Sequence, residues 1–328
     1  MRRRRHWPAK SAWPRASHSV LVGIFGPTGV GKTEVAVELA ELLRARGEEP
    51  VALSADAIQV YEGIDTLAAK PSAVQLARLE HRLISYVPID QEYSVGQFSA
   101  RAHEEIDSLL AAGRRPIVVG GTGLYLRAAL TDLDLKPPPS PGLREEIERE
   151  LEAVGAERLH RKLGEASASI IHPRDRKRIV RALELERMGE QPYEKSDQLW
   201  SRDLRRPAAL FGIVMERDVL VQRVSARADE IVGAQALAEV ETAIERGAGR
   251  TARKAMGFRE LAAHLAGEID IAEARRLVER RHTAYVKRQL TWMRKLAGVE
   301  TVDRTELSPE GTAAEIVRRL DSLPAPWD

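Results

Sequence analysis

Residues 26–33 (GPTGVGKT) fit the pattern G-x-x-x-x-G-K-[ST] directly after the apolar run at 20–25. Glycines allow backbone N–H groups to converge on phosphate oxygens, and the helix that follows adds its positive N-terminal end. The predicted phosphate-binding residues are Gly26, Pro27, Thr28, Gly29, Val30, Gly31, Lys32 and Thr33. Lys32 can reach the outer phosphate, and the Thr33 hydroxyl can bind Mg²⁺. The pattern therefore predicts a polyphosphate site, but it does not specify the reaction, since ATP-binding kinases and hydrolases use the same loop.

Two further polar positions follow apolar runs that predict strands. Asp56 comes after residues 51–53, where it could serve as a metal ligand, a proton acceptor or a helix N-cap. Thr122 follows the run 116–119 and two glycines, which permit close approach of the backbone to a ligand. Because the carboxyl ends of parallel strands meet at one edge of a sheet, we expect both residues to face the glycine-rich loop. An acid at the end of the run 116–119 would favour a hydrolase, and its absence weakens that hypothesis.

The elements that must position these residues alternate between strand and helix. The pattern predicts strands at 20–25, 51–53, 83–87 and 116–119, with helices at 33–46 and 95–112. This alternation is typical of a parallel sheet covered by helices on both faces. The sequence therefore predicts an α/β fold in which a P-loop NTPase-like parallel sheet is flanked by helices.

A proline-rich stretch at 136–141 (KPPPSP) interrupts the alternation, because three consecutive prolines fit neither a helix interior nor a central strand. Residues 142–188 are helical in pattern, and 190–206 are polar without periodicity. Residues 208–215 again predict a strand, followed by helices at 217–297 and 310–322. We therefore expect a catalytic core formed by residues 20–136 and 207–328, with an all-helical insert domain at 137–206.

Composition bounds the classes of protein and the setting. The chain has 328 residues and no cysteine, which excludes disulfides, thiolate zinc sites and cysteine nucleophiles. No apolar run is long enough for a membrane span, so we expect a cytoplasmic protein with no membrane partner. Residues 1–19 contain six arginines and lysines and no acid, although the formal net charge of the chain is only +2. We expect this basic arm to be disordered; an arm that binds nucleic acid is the alternative.

The motifs, taken together and in order, resemble the tRNA dimethylallyltransferase family over residues 20 to about 300. They are the loop at 26–33, DAIQVY at 56–61, AKP at 69–71, YSV at 93–95, VGGTGLY at 119–125, IHP at 171–173, RIVRALE at 178–184 and KRQLTW at 287–292. The resemblance implies that the loop holds the diphosphate of dimethylallyl diphosphate. It also implies that the acceptor is the exocyclic amine of the adenosine just 3′ of the anticodon in tRNA.

The resemblance assigns roles to individual residues. Asp56 is implied as the general base, with Thr122 and Arg223 as further catalytic residues. Arg223 is implied to bind the diphosphate, and Mg²⁺ is the implied cofactor, bound at Thr33. The implied tRNA-binding residues are Asp56, Ala57, Ile58, Gln59, Thr122, Arg144, Lys177, Arg178, Ile179, Val180, Arg181 and Gln289. The insert is expected to bind the anticodon stem-loop, and the enzyme is expected to be a monomer. Two rows on the helix at 272–296 recur every seven residues and predict a basic face: Arg280, Lys287 and Arg294, and Arg281, Arg288 and Lys295.

Four positions depart from the family pattern, namely Ala57, Leu67, Arg82 and Thr283, which puts peripheral contacts in doubt. Three other hypotheses stay open at this point. A prenyltransferase acting on free AMP would share the chemistry without an RNA-binding insert. A P-loop small-molecule kinase would use the insert as a lid over ATP, and a non-catalytic RNA-binding module would leave the loop and Asp56 without a role.

Overall fold

The computed structural model describes residues 20–190 and 199–322, so the basic arm at 1–19 lies outside the described residues. Two compact units make up the chain. One unit combines Met1–Asp132 with Arg202–Asp328, and the other is Leu133–Ser201, where the sequence predicted an insert at 137–206. Neither described part contains a helix long and apolar enough to cross a membrane.

The larger unit contains a six-stranded parallel sheet with the order β3-β2-β4-β1-β5-β6. The strands are β1 (Leu21–Phe25), β2 (Pro50–Ser54), β3 (His81–Arg82), β4 (Arg115–Gly120), β5 (Ala208–Val214) and β6 (Val299–Asp303). The run at 208–215 pairs in parallel with β1, so the chain returns to the sheet after the helical segment. The parallel α/β class predicted from the sequence is confirmed.

Nine α-helices of the larger unit flank this sheet or follow it in the described residues. They are α1 (Lys32–Arg44), α2 (Ala73–Arg78), α3 (Val95–Ala111), α4 (Gly123–Leu130), α9 (Arg217–Ile231), α10 (Ala234–Glu245), α11 (Phe258–Leu265), α12 (Ile271–Lys295) and α13 (Pro309–Asp321). Leu39 and Leu43 of α1 pack with Val22 and Ile24 of β1 in one buried cluster. Burial of such apolar side chains, at about 25 cal/mol per Å², holds the helices on the sheet.

Two features of the sheet differ from the expectation. The predicted strand at 83–87 is wrong, because Leu83 and Ser85 have positive φ angles of 62° and 50°, which break an extended ladder. The strand β3 is instead the short segment before them. The strand β6 was not predicted, because only one of its five residues is fully buried and its polar pattern gives little strand signal.

The part of the smaller unit that the structure describes has four helices, α5 (Leu143–Val154), α6 (Ala156–His160), α7 (Glu165–Ile170) and α8 (Arg176–Arg187). Its core is apolar and includes Ile147, Leu151, Leu159 and Ile179. The helical character expected for residues 142–188 is therefore present, divided into short helices. Gly155, with a φ of 81°, separates the first two of them.

Candidate active site

The glycine-rich loop joins the end of β1 to the start of α1 at the carboxyl edge of the sheet. Gly29 and Gly31 have φ angles of 80° and 82°, in the left-handed region that favours glycine. A β carbon on Gly26 would lie 2.7 Å from the carbonyl oxygen of Ile213, so the neighbouring strand leaves no space for a side chain. The loop therefore has the backbone conformation and the helix N-terminus that an anion site requires.

Lys32 curls back over this loop, with Nζ 2.9 Å from the carbonyl oxygen of Pro27. Burial lowers the pKa of Lys32 to about 8, and the carboxylate of Asp56 opposes this shift. The ammonium group of Lys32 therefore interacts electrostatically with the carboxylate of Asp56 at this edge of the sheet. Thr33, the second residue of α1, is partly buried beside it.

Asp56 lies two residues beyond β2 and uses its two carboxylate oxygens differently. Oδ1 accepts hydrogen bonds from the backbone amides of Ile58, at 2.9 Å, and Gln59, at 3.4 Å. Oδ2 accepts a 3.3 Å hydrogen bond from the hydroxyl of Thr122, which follows β4. One oxygen thus fixes a turn, while the other faces the edge of the sheet; no helix begins at this point in the described residues, so Asp56 is not a helix N-cap.

Tyr285 completes a chain of polar groups and was not identified from the sequence. Its hydroxyl lies 3.3 Å from the hydroxyl of Thr122. Burial, and then the negative charge of Asp56, raise the pKa of Tyr285 to about 12. The tyrosine therefore stays protonated near neutral pH. Because Thr122 donates its hydroxyl hydrogen to Asp56, Tyr285 is the donor toward Thr122. Its position one helical turn before Gln289 was the only sequence signal that could have found it.

Gln289 is buried and bridges two loops. The resemblance implied that this residue contacts tRNA. Its Oε1 accepts a 2.9 Å hydrogen bond from the amide of Thr28, and its Nε2 donates a 2.8 Å bond to the carbonyl of Gly121. A β carbon on Gly121 would lie 2.4 Å from Nε2. With both ends of the amide engaged, Gln289 holds the phosphate loop against the loop that follows β4.

The residues after Asp56 are divided between internal and accessible positions. The Gln59 side chain donates a 2.9 Å hydrogen bond to the carbonyl of Ala69 and accepts a 2.7 Å bond from Ser54. Ala57 and Ile58 are partly exposed. Of these three predicted tRNA contacts, Ala57 and Ile58 therefore have accessible surface. The side-chain amide of Gln59 is engaged in hydrogen bonds within the protein.

Two arginines of the larger unit approach the phosphate loop. Arg223, on α9, lies with Nη1 3.4 Å from the carbonyl oxygen of Gly29. This places the predicted diphosphate-binding arginine beside the loop. Arg304, which follows β6, donates to the carbonyl oxygens of Val30, at 2.8 Å, and Gly31, at 3.2 Å. Arg304 was not identified from the sequence, because no motif marks it.

Most of the basic side chains in the two rows of α12 are exposed. Arg280, Lys287, Arg288, Arg294 and Lys295 are exposed. Arg281 differs, because it forms a 2.6 Å ion pair with the nearly buried carboxylate of Glu260. The predicted basic face therefore exists without Arg281.

In the helical unit, the predicted tRNA-binding residues fall into three groups. Lys177 and Arg178 are exposed on the first turn of α8. Arg144 and Arg181 both pair with the buried carboxylate of Glu184. Ile179 and Val180 have exposures of 0% and 6% and belong to the apolar core. Direct side-chain contact by the two apolar residues is therefore contradicted, because the stripe of α8 that carries them packs inward.

The residues that the structure describes include no group of three or more His, Asp or Glu that could hold a metal ion by itself. Mg²⁺ prefers oxygen ligands and commonly binds through one or two protein groups together with substrate phosphates and water. The hydroxyl of Thr33, at the N-terminus of α1, is an oxygen of the required type. The site is therefore compatible with a metal that arrives with the phosphate ligand.

Comparison with known proteins agrees with this geometry. A tRNA dimethylallyltransferase of Desulforudis audaxviator is 36% identical over 307 residues, which cover 92% of this chain and 97% of that protein. One of Geobacter sulfurreducens is 38% identical over 293 residues, covering 88% and 93%. The crystal structure of a tRNA delta(2)-isopentenylpyrophosphate transferase from Staphylococcus epidermidis has a TM-score of 0.67 at 28% identity, covering 93% of this chain and 99% of that one. The model of the IPP transferase family matches residues 59–296. The chain therefore belongs to the IPP transferase family.

Proposed function

We propose that the protein transfers the dimethylallyl group of dimethylallyl diphosphate to the exocyclic amine of the adenosine 3′ of the anticodon in tRNA. The observation that carries the proposal is that the phosphate loop with Lys32 and the Asp56–Thr122 pair open on the same edge of the sheet. A leaving diphosphate and the amine that replaces it need sites this close together. Similarity to tRNA dimethylallyltransferases along nearly the whole chain supports tRNA as the acceptor.

The leaving group defines the first half of the reaction. The bond between the allylic carbon and the diphosphate oxygen breaks, and the diphosphate departs with the electron pair. The amides of the loop, the ammonium group of Lys32 and the guanidinium group of Arg223 are the candidates to stabilise this charge. The Thr33 hydroxyl would hold Mg²⁺, which neutralises diphosphate charge when it is bound.

The acceptor defines the second half. The new bond joins the amine nitrogen to the allylic carbon, and the amine must then lose a proton. Asp56 suits the role of acceptor for that proton, because backbone amides hold Oδ1 while Oδ2 faces Thr122. The Thr122 hydroxyl orients this oxygen, and Tyr285 in turn orients the hydroxyl.

The tRNA requires a basic surface as well as a reactive site. An adenine stacked in an anticodon loop reaches Asp56 only if it leaves the stack, which costs a few kcal/mol that backbone contacts must offset. The candidates are the exposed cations Lys177 and Arg178 of α8, and Arg280, Lys287, Arg288 and Arg294 of α12. The guanidinium groups of Arg144 and Arg181, already held by Glu184, are candidates for shaping the basic surface of the helical unit.

We further propose that the protein acts as a monomer in the cytoplasm. Lys32, Asp56, Thr122 and Tyr285 all come from one chain and already contact one another or share an electrostatic field. A single tRNA and a single donor therefore need no residue from a second copy.

Incubation with labelled dimethylallyl diphosphate, with bulk tRNA or AMP as acceptor, tests the proposal. We expect label in tRNA, released diphosphate in equal amount, and no transfer in a Lys32→Ala control. Label in AMP but not in tRNA would instead establish the free-nucleotide prenyltransferase. Turnover of ATP with a metabolite acceptor, in the absence of the prenyl donor, would establish the kinase.

A further inference from the structure

Arg304 is an arginine with only 2% of its surface exposed, placed directly after the edge strand β6. Its backbone amide donates a 3.0 Å hydrogen bond to the carbonyl of Val214, which anchors it beside the end of β5. A charged side chain is seldom buried this deeply unless it is paired or serves a site. Its position is also beyond the segment 59–296 that the family model matches.

The guanidinium group of Arg304 packs against the carbonyl side of the phosphate loop. Its Nη1 lies 2.8 Å from the oxygen of Val30 and 3.2 Å from the oxygen of Gly31. A β carbon on Gly31 would lie 2.1 Å from the same nitrogen. Arg304 thus fills the space behind Gly31, so a side chain at this position would collide with the guanidinium group.

The contact with Arg304 also fixes the direction of the N–H groups on the other side of the loop. In a trans peptide the C=O and the following N–H point in opposite directions. Carbonyls of Val30 and Gly31 that point at Arg304 therefore direct the N–H groups of Gly31 and Lys32 away from it. A positive charge on the carbonyl side also favours the orientation in which the N–H groups meet an anion.

We propose that Arg304 is a positioning residue for the donor diphosphate, which it orders through the loop backbone and without touching the reacting atoms. The inference rests on the proposed function, because it assumes that this loop holds the diphosphate. It also assigns a role to the C-terminal segment that contains β6. That segment brings the arginine to the loop from 274 residues away in the chain.

The charges around Arg304 support an anion as the ligand of the loop. Burial lowers the pKa of Arg304, with a smaller contribution from the positive charge of Arg223, while the 3.6 Å contact with Glu34 opposes both. Within the described residues, Nε of Arg304 has no hydrogen-bond partner. Two arginines and one carboxylate thus lie at one loop, and a bound diphosphate would compensate the positive charge that Glu34 leaves unpaired.

Four purified full-length proteins test the inference: wild type, Arg304→Met, Arg304→Lys and Arg115→Met. Arg115 is a matched control, because it is also buried, at 4% exposure, but pairs with Glu48 at the amino end of β4, away from the loop. The measurements are calorimetric affinity for inorganic diphosphate, the KM values for dimethylallyl diphosphate and for tRNA, and thermal stability.

We expect Arg304→Met to bind diphosphate about tenfold more weakly or worse and to raise the donor KM similarly, with the KM for tRNA unchanged. Arg304→Lys should recover part of the affinity, because it restores the charge without the planar fork. Arg115→Met should lose stability yet keep wild-type diphosphate affinity, which separates positioning from general destabilisation.

Wild-type diphosphate affinity in both Arg304 variants would overturn the inference. If Arg304→Met is too unstable to purify, Arg304→Lys decides alone: a threefold or larger weakening, in rough terms, supports the role, and an unchanged affinity overturns it. A wild-type protein that binds no diphosphate would instead contradict the proposed function, so the two failures are distinguishable.

Discussion

The hydroxyl of Thr122 lies 3.3 Å from Oδ2 of Asp56 and thereby connects the ends of two neighbouring strands, β4 and β2. The same hydroxyl lies 3.3 Å from the hydroxyl of Tyr285 on α12. The carboxylate is therefore held from both sides, by the amide of Ile58 on Oδ1 and by a chain of hydroxyls on Oδ2. This arrangement suits an oxygen that must accept a proton in a fixed direction.

The carboxylate of Asp56 should matter for the chemical step more than for binding. We expect Asp56→Asn to lower the single-turnover rate about 100-fold or more, because an amide cannot accept the proton of the amine. Affinity for tRNA and for the donor should change by less than about threefold. Asp218→Asn, at an exposed position on α9, is the control. Near-normal turnover in Asp56→Asn would reduce Asp56 to a residue that caps its turn.

The ammonium group of Lys32 should make diphosphate binding depend on pH. The pKa of Lys32 is lowered to about 8. Diphosphate binds more tightly to the protein when Lys32 is protonated. The factor by which Lys32 increases diphosphate affinity, its advantage, therefore falls by about tenfold per pH unit as pH rises above that pKa. The ratio of diphosphate affinities between wild type and Lys32→Met measures this advantage, because the titration of diphosphate itself cancels. Asp56→Asn should move the fall to lower pH, since the carboxylate raises the pKa. A ratio that stays constant from pH 7 to 10 would refute the assignment.

The same pKa shift has a consequence for stability without ligand. The folded-state pKa lies below 10.5, the ordinary pKa of a lysine, so the protonated side chain disfavours the folded state. This penalty is complete below about pH 8 and disappears as pH rises toward 10.5. Lys32→Met should therefore be more stable than wild type at pH 7, by at most about 3 kcal/mol. The gain should vanish by about pH 10.5 in urea unfolding measured across pH. A gain that is independent of pH would come from packing instead.

The hydroxyl of Tyr285 should act through Thr122. We expect Tyr285→Phe to reduce turnover about fivefold, the loss of roughly one hydrogen bond of 1 kcal/mol, without a change in donor affinity. A double-mutant cycle with Thr122→Val tests the path, because the two losses should not add if one hydroxyl acts through the other. Additive losses would show that the tyrosine contributes independently of Thr122.

The exposed cations of α8 should contribute to tRNA affinity through phosphate contacts. We expect the double variant of Lys177→Ala and Arg178→Ala to weaken tRNA binding and to reduce its salt dependence by a slope of about one per lost contact. Donor affinity should not change. Arg318→Ala, which removes an exposed arginine from α13, should leave the slope unchanged. An unaltered slope in the double variant would place recognition elsewhere on the protein.

Several elements and site residues follow from local sequence chemistry. The loop at 26–33 combines glycines with a lysine and a hydroxyl at fixed offsets, and only a strand–loop–helix context gives that spacing a use. Alternating apolar runs and helices imply parallel strands, which bring Asp56 and Thr122 to one edge. These inferences succeed because each depends only on residues that are close in the sequence, within a single loop or a single strand–helix–strand unit. The short strand β3 escaped them, since the positive φ at Leu83 has no signature in a leucine.

By itself, then, the sequence determined the phosphate loop, the parallel α/β class and the positions of Asp56 and Thr122 at the ends of their strands. Only the tertiary structure decided what meets them. Gln289 contacts Thr28 across 261 residues, and Arg304 contacts Val30 across 274. Helical spacing predicts which residues of α12 share a face, but not which loop that face will meet. Likewise, Arg144 of α5 was implied as a tRNA-binding residue, and in the structure it pairs with the buried Glu184 of α8, 40 residues away, because α5 packs against α8.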